Sequence, residues 1–292
     1  MQVAVISNPV SGSGRSAATA AAIEREIAAR GWTCVRVATE RAEPAQWLDP
    51  TLGSVDAAVV AGGDGALRMV APSAARLSVP LWHAPCGTEN LFARAFGMSR
   101  DPQVIGRAIE ARIIHRVDLA DANGVPFAIM ASLGFDAAVV HALAARRRGG
   151  ITRWSYAMPI LEVVRDWRPP ELAWQIDGER ELLGRGMVVV GNLPHYARGL
   201  NPAARAVGDD GLLDAVFIPA GSALELLPWI PLLWTGVHLR HPALRERRGA
   251  EIVLESAPAS PFQLDGDAVE GGAVGRLSLR SRPGALSLLR AP

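Results

Sequence analysis

The chain has 292 residues, 49% of them hydrophobic and 20% charged, with a formal net charge of +1. That length accommodates two domains or one large one, and the composition excludes a disordered chain. The balanced charge argues against nucleic-acid binding, which needs a basic face, and the lack of any lysine excludes a Walker-type Gly-Lys-Ser loop.

In chain order, residues 3–7 read as a buried strand and 16–30 as a helix stopped by Gly31. Residues 33–39 give a second strand, 45–48 a short helix and 56–62 a third strand. A helix over 67–77, a strand over 79–85 and a helix from 90 to 97 complete this part. Alternating helices and continuously apolar strands predict a parallel sheet covered on both faces. The character changes near residue 117. Strands are predicted at 171–177, 185–193, 212–218, 251–256, 262–267 and 276–281, joined by Gly, Asn and Pro turns. Helical segments at 151–166 and 221–240 interrupt them. The expected architecture is an α/β domain over 1–118 and a mainly antiparallel β-sandwich domain over 119–282, with 283–292 returning to the first.

Cys34 and Cys86 fit neither a metal nor a redox spacing, which points to a reducing compartment. The N-terminus lacks a basic region and a cleavage-like site, so no signal peptide is expected. The most apolar stretch, 222–239, holds Glu225, Pro228 and Pro231, which argues against a spanning helix.

Three glycine-bearing turns follow three predicted strands. After the first strand come Asn8, Ser11, Gly12, Ser13 and Gly14, whose amides and hydroxyls suit an anion or simply a tight turn. After the third come Gly62, Gly63, Asp64, Gly65 and Ala66. Glycines there let a ligand touch the backbone, at the strand ends where open α/β sheets bind ligands. Asp64 would orient a metal or water there, act as a base, or merely cap the next helix. After the fourth come Gly87, Thr88 and Asn90. Neighbouring strand ends would gather the three turns into one crevice.

Taken together and in order, these stretches resemble the diacylglycerol kinase catalytic-domain family, which includes bacterial lipid kinases and sphingosine kinases and is related to NAD kinases. NPVSGSGR at 8–15 resembles its first phosphate loop, GGDGA at 62–66 its GGDGT loop, and GTENLFARAFG at 87–97 its GTxNDFAR segment. LGFDA at 133–137, DGLLD at 210–214 and QLDGD at 263–267 resemble its later motifs.

The resemblance implies ATP in an inter-domain cleft and magnesium-dependent phosphoryl transfer to a lipid hydroxyl. It implies that Asn8, Ser11, Gly12, Thr39, Gly62 to Ala66, Gly87, Thr88 and Asn90 hold the nucleotide. It implies Asp267 as the base, with Asp64 as the other candidate. It also implies Mg2+ on Asp210 with the carbonyls of Val207 and Leu212. The partners it implies are a lipid substrate and peripheral contact with the inner face of a membrane from the cytoplasm; oligomer formation stays open.

Three positions depart from the pattern. Ala66 stands for a threonine, Leu91 for an aspartate and Asp267 for a glutamate. They leave two alternatives: a kinase of a soluble hydroxyl compound, or a nucleotide- or lipid-binding protein that has lost the chemistry.

Four further features stand out. His83 lies inside a strand, as a packed residue would. His195 and Tyr196 lie in a Gly/Pro-rich loop, where they could meet substrate, and Asp136 either joins an acidic cluster or caps a helix. Arg146, Arg147 and Arg148 form a basic run. Trp229 and Trp234 among leucines, followed by Arg240, Arg245, Arg247 and Arg248, read as a core helix, an acyl groove or an interfacial anchor.

Overall fold

The computed structural model describes residues 1–8, 14–40, 42–146 and 154–292. They form two compact units, Met1–Leu119 with Pro283–Pro292, and Ala120–Arg282.

In the first unit, strand β1 (Gln2–Ser7) pairs in parallel with β2 (Thr33–Ala38) and β3 (Ala57–Gly62), and β3 pairs in parallel with β4 (Leu81–Pro85). All six residues of β3 are buried, which requires cover on both faces and explains its unbroken apolar run. Helix α1 (Arg15–Ala29) supplies part of that cover. It buries Ser16, Ala20, Ile23 and Ile27, a stripe at helical spacing. The Ser16 hydroxyl donates to the Ala61 carbonyl and ties the helix to the end of β3. Leu288, near the end of the chain, pairs in parallel with Leu81, and the Gly284 amide donates to Asp118 at 2.7 Å.

Helix α4 (Asp64–Arg76) starts three residues earlier than its apolar pattern suggests, because polar and glycine residues fill its first turn. Sequence reasoning missed α6 (Pro102–Ala111). Its signals were present: Asp101 accepts from the Gln103 amide at 2.9 Å as an N-cap, and a proline opens the first turn.

The second unit is mainly antiparallel. Strand β9 (Glu179–Gly191) pairs with β8 (Glu171–Ile176), β7 (Met130–Leu133) and β10 (Leu213–Pro219). Strand β12 (Glu251–Leu264) pairs with β7, β8 and the last strand, β13 (Asp267–Arg290). The core between these strands is built from Phe127, Leu133, Trp174, Val188, Phe217, Leu254 and their neighbours. An edge strand, β11 (Arg245–Gly249), escaped prediction because four of its five residues are charged, as edges often are. Helix α7 (Phe135–Arg146), anticipated only as something Asp136 could cap, was not delimited, because its apolar residues do not segregate to one face.

The segment predicted as a strand over 262–267 instead contains a hairpin turn. Leu264 faces Asp267, while Asp265 (φ 51°) and Gly266 (φ 84°) form the two-residue loop. Positive φ at both central residues is the type I′ turn that Asp-Gly favours. Residues 151–153 of the predicted 151–166 helix lie outside the described residues; α8 runs Trp154–Asp166. Among the described residues no helix is long and apolar enough to cross a membrane.

Candidate functional site

In the first unit the ends of β1 to β4 bring Asn8, Thr39, Gly62 to Ala66, Gly87, Thr88 and Asn90 to one end of the sheet. Thr39 donates its amide to the Ser7 carbonyl at 3.0 Å, beside Asn8. The Cys86 amide donates to the Gly62 carbonyl at 2.8 Å, so the turns after β3 and β4 run side by side. A Cβ placed on Gly87 would lie 2.7 Å from the Gly63 Cα, and one on Gly63 would lie 3.1 Å from the Gly87 Cα. A Cβ on Gly62 would meet the Ala66 Cβ at 2.6 Å. These turns need glycine because their backbones touch.

One side chain ties the turns together and another braces the second of them. Asp64 accepts from the Leu91 amide at 3.0 Å and the Phe92 amide at 3.1 Å, capping α5 (Leu91–Ala95) from a neighbouring loop. Asn90, held at φ 50°, accepts from the Gly87 amide at 2.7 Å and donates to the Gly87 carbonyl at 2.9 Å. Asp64 therefore has both carboxylate oxygens engaged. His83 sits fully buried beneath this layer, its Nε2 3.0 Å from the Gly62 carbonyl. Burial lowers its pKa against the opposing pull of Asp64 and of the Gly62 hydrogen bond, so the ring is neutral. Gly65 and Thr88 are exposed at this edge. Ser11, Gly12 and Ser13 lie outside the described residues.

In the second unit a polar network surrounds the turn before Asp267. Asp136, in the first turn of α7, accepts from the Tyr196 hydroxyl, the Ser132 hydroxyl and, at 3.0 Å, the Gln263 amide. Burial and the Asp136 charge hold the Tyr196 phenol well above its ordinary pKa, so it stays a donor. Gln263 also accepts from the Gly266 amide at 2.7 Å, which joins this network to the hairpin turn. Asp265 accepts from the amides of Ala128 (2.8 Å), Ile129 (2.8 Å) and Met130 (2.9 Å) and fixes the other side of the turn. Asp267, next in the chain and half-buried, is thus presented by a rigid backbone. Sequence reasoning overlooked Gln263, Asp265 and Ser132 as positioning residues. The Asp-Gly turn signal was the available clue.

The expected magnesium ligands are arranged differently. Asp210 accepts from the Leu212 amide at 3.0 Å and is ion-paired with Arg248. The Arg248 Nε lies 3.1 Å from the fully buried Asp214 carboxylate, whose pKa burial raises. A guanidinium thus stands as the counter-charge of the Asp210 side chain, where the resemblance implies a magnesium ion. Among the described residues no three His, Cys, Asp or Glu side chains group to hold one.

A glycine-lined parallel sheet followed by a β-sandwich with a clamped Asp-Gly turn defines a two-part enzyme fold. Residues 2–122 match the model of the diacylglycerol kinase catalytic domain. Residues 129–290 match that of the YegS C-terminal NAD kinase beta sandwich-like domain. The chain belongs to the diacylglycerol kinase catalytic-domain family of lipid kinases. It is 31% identical to the "Probable lipid kinase YegS-like" of Pseudomonas aeruginosa PAO1, over 86% of this chain and 82% of that protein. It is 28% identical to the "Diacylglycerol kinase" of Mycobacterium tuberculosis H37Rv, over 91% of this chain and 88% of that one. A crystal structure of a diacylglycerol kinase from Bacillus anthracis Sterne shares the fold, with a TM-score of 0.70 at 17% identity, covering 100% of this chain and 97% of that one.

Proposed function

We propose that this protein transfers the γ-phosphoryl group of ATP to the hydroxyl of a lipid such as a diacylglycerol or a sphingoid base. The observation that carries this reading is the contact of Gly63 with Gly87, in two turns held together at the strand ends by Asp64, with Asn90 fixing the second turn. Glycines there let phosphate oxygens approach backbone amides at the N-terminus of α4, where the Ala66 and Leu67 amides already donate to the Gly63 carbonyl and those of Asp64 and Gly65 precede them. Thr39, Thr88 and Asn8 supply polar contacts at the same edge. Magnesium accompanying the triphosphate would neutralise charge that develops on its oxygens.

Asp267 takes the proton of the acceptor hydroxyl. The freed oxygen bonds to the γ-phosphorus, the bond to the bridging oxygen breaks, and ADP leaves. Asp64, with both oxygens committed to backbone amides, positions the nucleotide loops.

The test is transfer of labelled γ-phosphate from Mg-ATP to a panel of diacylglycerol, sphingoid, ceramide, phosphatidylglycerol and polyprenol acceptors. A labelled lipid that vanishes with Asp267→Asn supports the reading. ATP binding with no labelled lipid overturns it in favour of a soluble acceptor or a protein that binds without turnover.

A further inference from the structure

The segment Ala223 to Thr235 keeps right-handed helical backbone through a 3-10 turn, Leu227, Pro228 and α9 (Trp229–Thr235), and ends at Gly236 with φ 74°. One face packs inward through Ala223, Leu226, Trp229 and Leu233, all buried. The opposite face is also apolar. Leu224, Leu227 and Trp234 are 62%, 55% and 58% exposed, and Pro228 and Pro231 are exposed between them at helical spacing. Val237 continues the stripe beyond Gly236. A helix that is apolar all round is normally buried on every side; here one side is open.

The stripe is held in place. The Trp234 indole donates to the Arg198 carbonyl at 3.1 Å. Glu225, the one acid within it, is occupied by the Gly221 amide at 2.8 Å and the Ser222 hydroxyl at 3.2 Å. Arg240, exposed at the far end, pairs with no carboxylate among the described residues.

We propose that this face inserts into the interfacial layer of a lipid bilayer carrying anionic headgroups. Leu224, Leu227 and Trp234 enter the acyl boundary, and Arg240 meets the headgroup charge. Exposed leucines and a fixed tryptophan flanked by an arginine are the chemistry of a membrane interface, where apolar burial and headgroup attraction add. The proposal does not depend on phosphoryl transfer.

The full chain is floated with vesicles of phosphatidylcholine, with and without phosphatidylglycerol, in the absence of ATP. The wild type is expected to float, more strongly with phosphatidylglycerol. Leu224→Ser with Leu227→Ser lowers partitioning at least tenfold with an unchanged melting temperature. Arg240→Ser removes most of the phosphatidylglycerol increment. Brominated lipid quenches wild-type tryptophan fluorescence, and Trp234→Phe loses that quenching. A wild type that does not float, or a double-serine variant that floats equally well, overturns the proposal. So does a dimer in sedimentation that the double-serine variant dissociates, because a second copy would then cover the face.

Discussion

Gly63 and Gly87 meet backbone to backbone: a methyl group on Gly87 would sit 2.7 Å from the Gly63 Cα. The contact joins the turns after β3 and β4, and the side chains flanking it act across the same seam. Asp64 reaches from the first turn to the amides of Leu91 and Phe92 beyond the second. The glycine-bearing edge is therefore one interlocked layer, in which a change in either turn displaces the other.

Gly87→Ala tests that layer. The added methyl forces one backbone to move, at a cost of about 1–3 kcal/mol. We expect a lower melting temperature and an ATP dissociation constant raised at least tenfold. Gly53→Ala serves as the control. Its Cβ would meet nothing closer than the Asp49 carbonyl at 3.4 Å, an ordinary contact, so both quantities should stay put. Wild-type ATP binding in Gly87→Ala would show that the seam is not part of the nucleotide site.

The two candidate carboxylates separate by kinetics. Asp267→Asn removes a base, so kcat should fall about 10²–10⁴-fold with little change in the KM for ATP. Asp64→Asn replaces one acceptor with a donor that faces a backbone amide. An unsatisfied polar group costs about 1–3 kcal/mol, so stability should drop and the KM for ATP rise. Asp267→Glu keeps the carboxylate and should retain activity. The reverse split would assign the base to Asp64.

How legible this was depended on whether the signal was local. The β3 strand and its glycines stood out because an apolar run stopping on Gly62 and Gly63 has few structural meanings. The Asp64 bond to α5 was hidden, since it joins residues 27 and 28 positions apart that no local pattern links. Gln263 and Asp265 were quoted within a motif, yet their work is done on the amides of Gly266 and of residues 128–130. Pairing of Arg248 with Asp210 depends on the charged edge strand β11, which periodicity does not reveal.

That ion pair yields a metal prediction. With Arg248 serving as the cation of the Asp210 loop, a chelator should leave the melting temperature of the wild type unchanged. Arg248→Met leaves the buried Asp214 without its counter-charge. Because Arg248 is 40% exposed, the loss is discounted to about 1–3 kcal/mol. A saturable rise in wild-type melting temperature with magnesium, abolished by Asp210→Asn, would restore the metal to this loop.

His83 gives the pH dependence. Burial lowers its folded-state pKa below the ordinary 6.5, while the unfolded chain keeps the ordinary value. Between those two values the unfolded state holds a proton that the folded state lacks. Stability therefore rises with pH through this window, and acidification below about 6.5 weakens the fold. One such group contributes a slope of up to about 1.4 kcal/mol per pH unit. His83→Gln keeps a donor for the Gly62 carbonyl but cannot be protonated. Urea unfolding of both proteins across this range isolates the term, since every other ionisable group is common to both. The difference in stability between wild type and variant should shift in favour of the variant as pH falls. Parallel profiles would mean that His83 accepts its proton without cost, and that the layer beneath Gly62 yields to a charged ring.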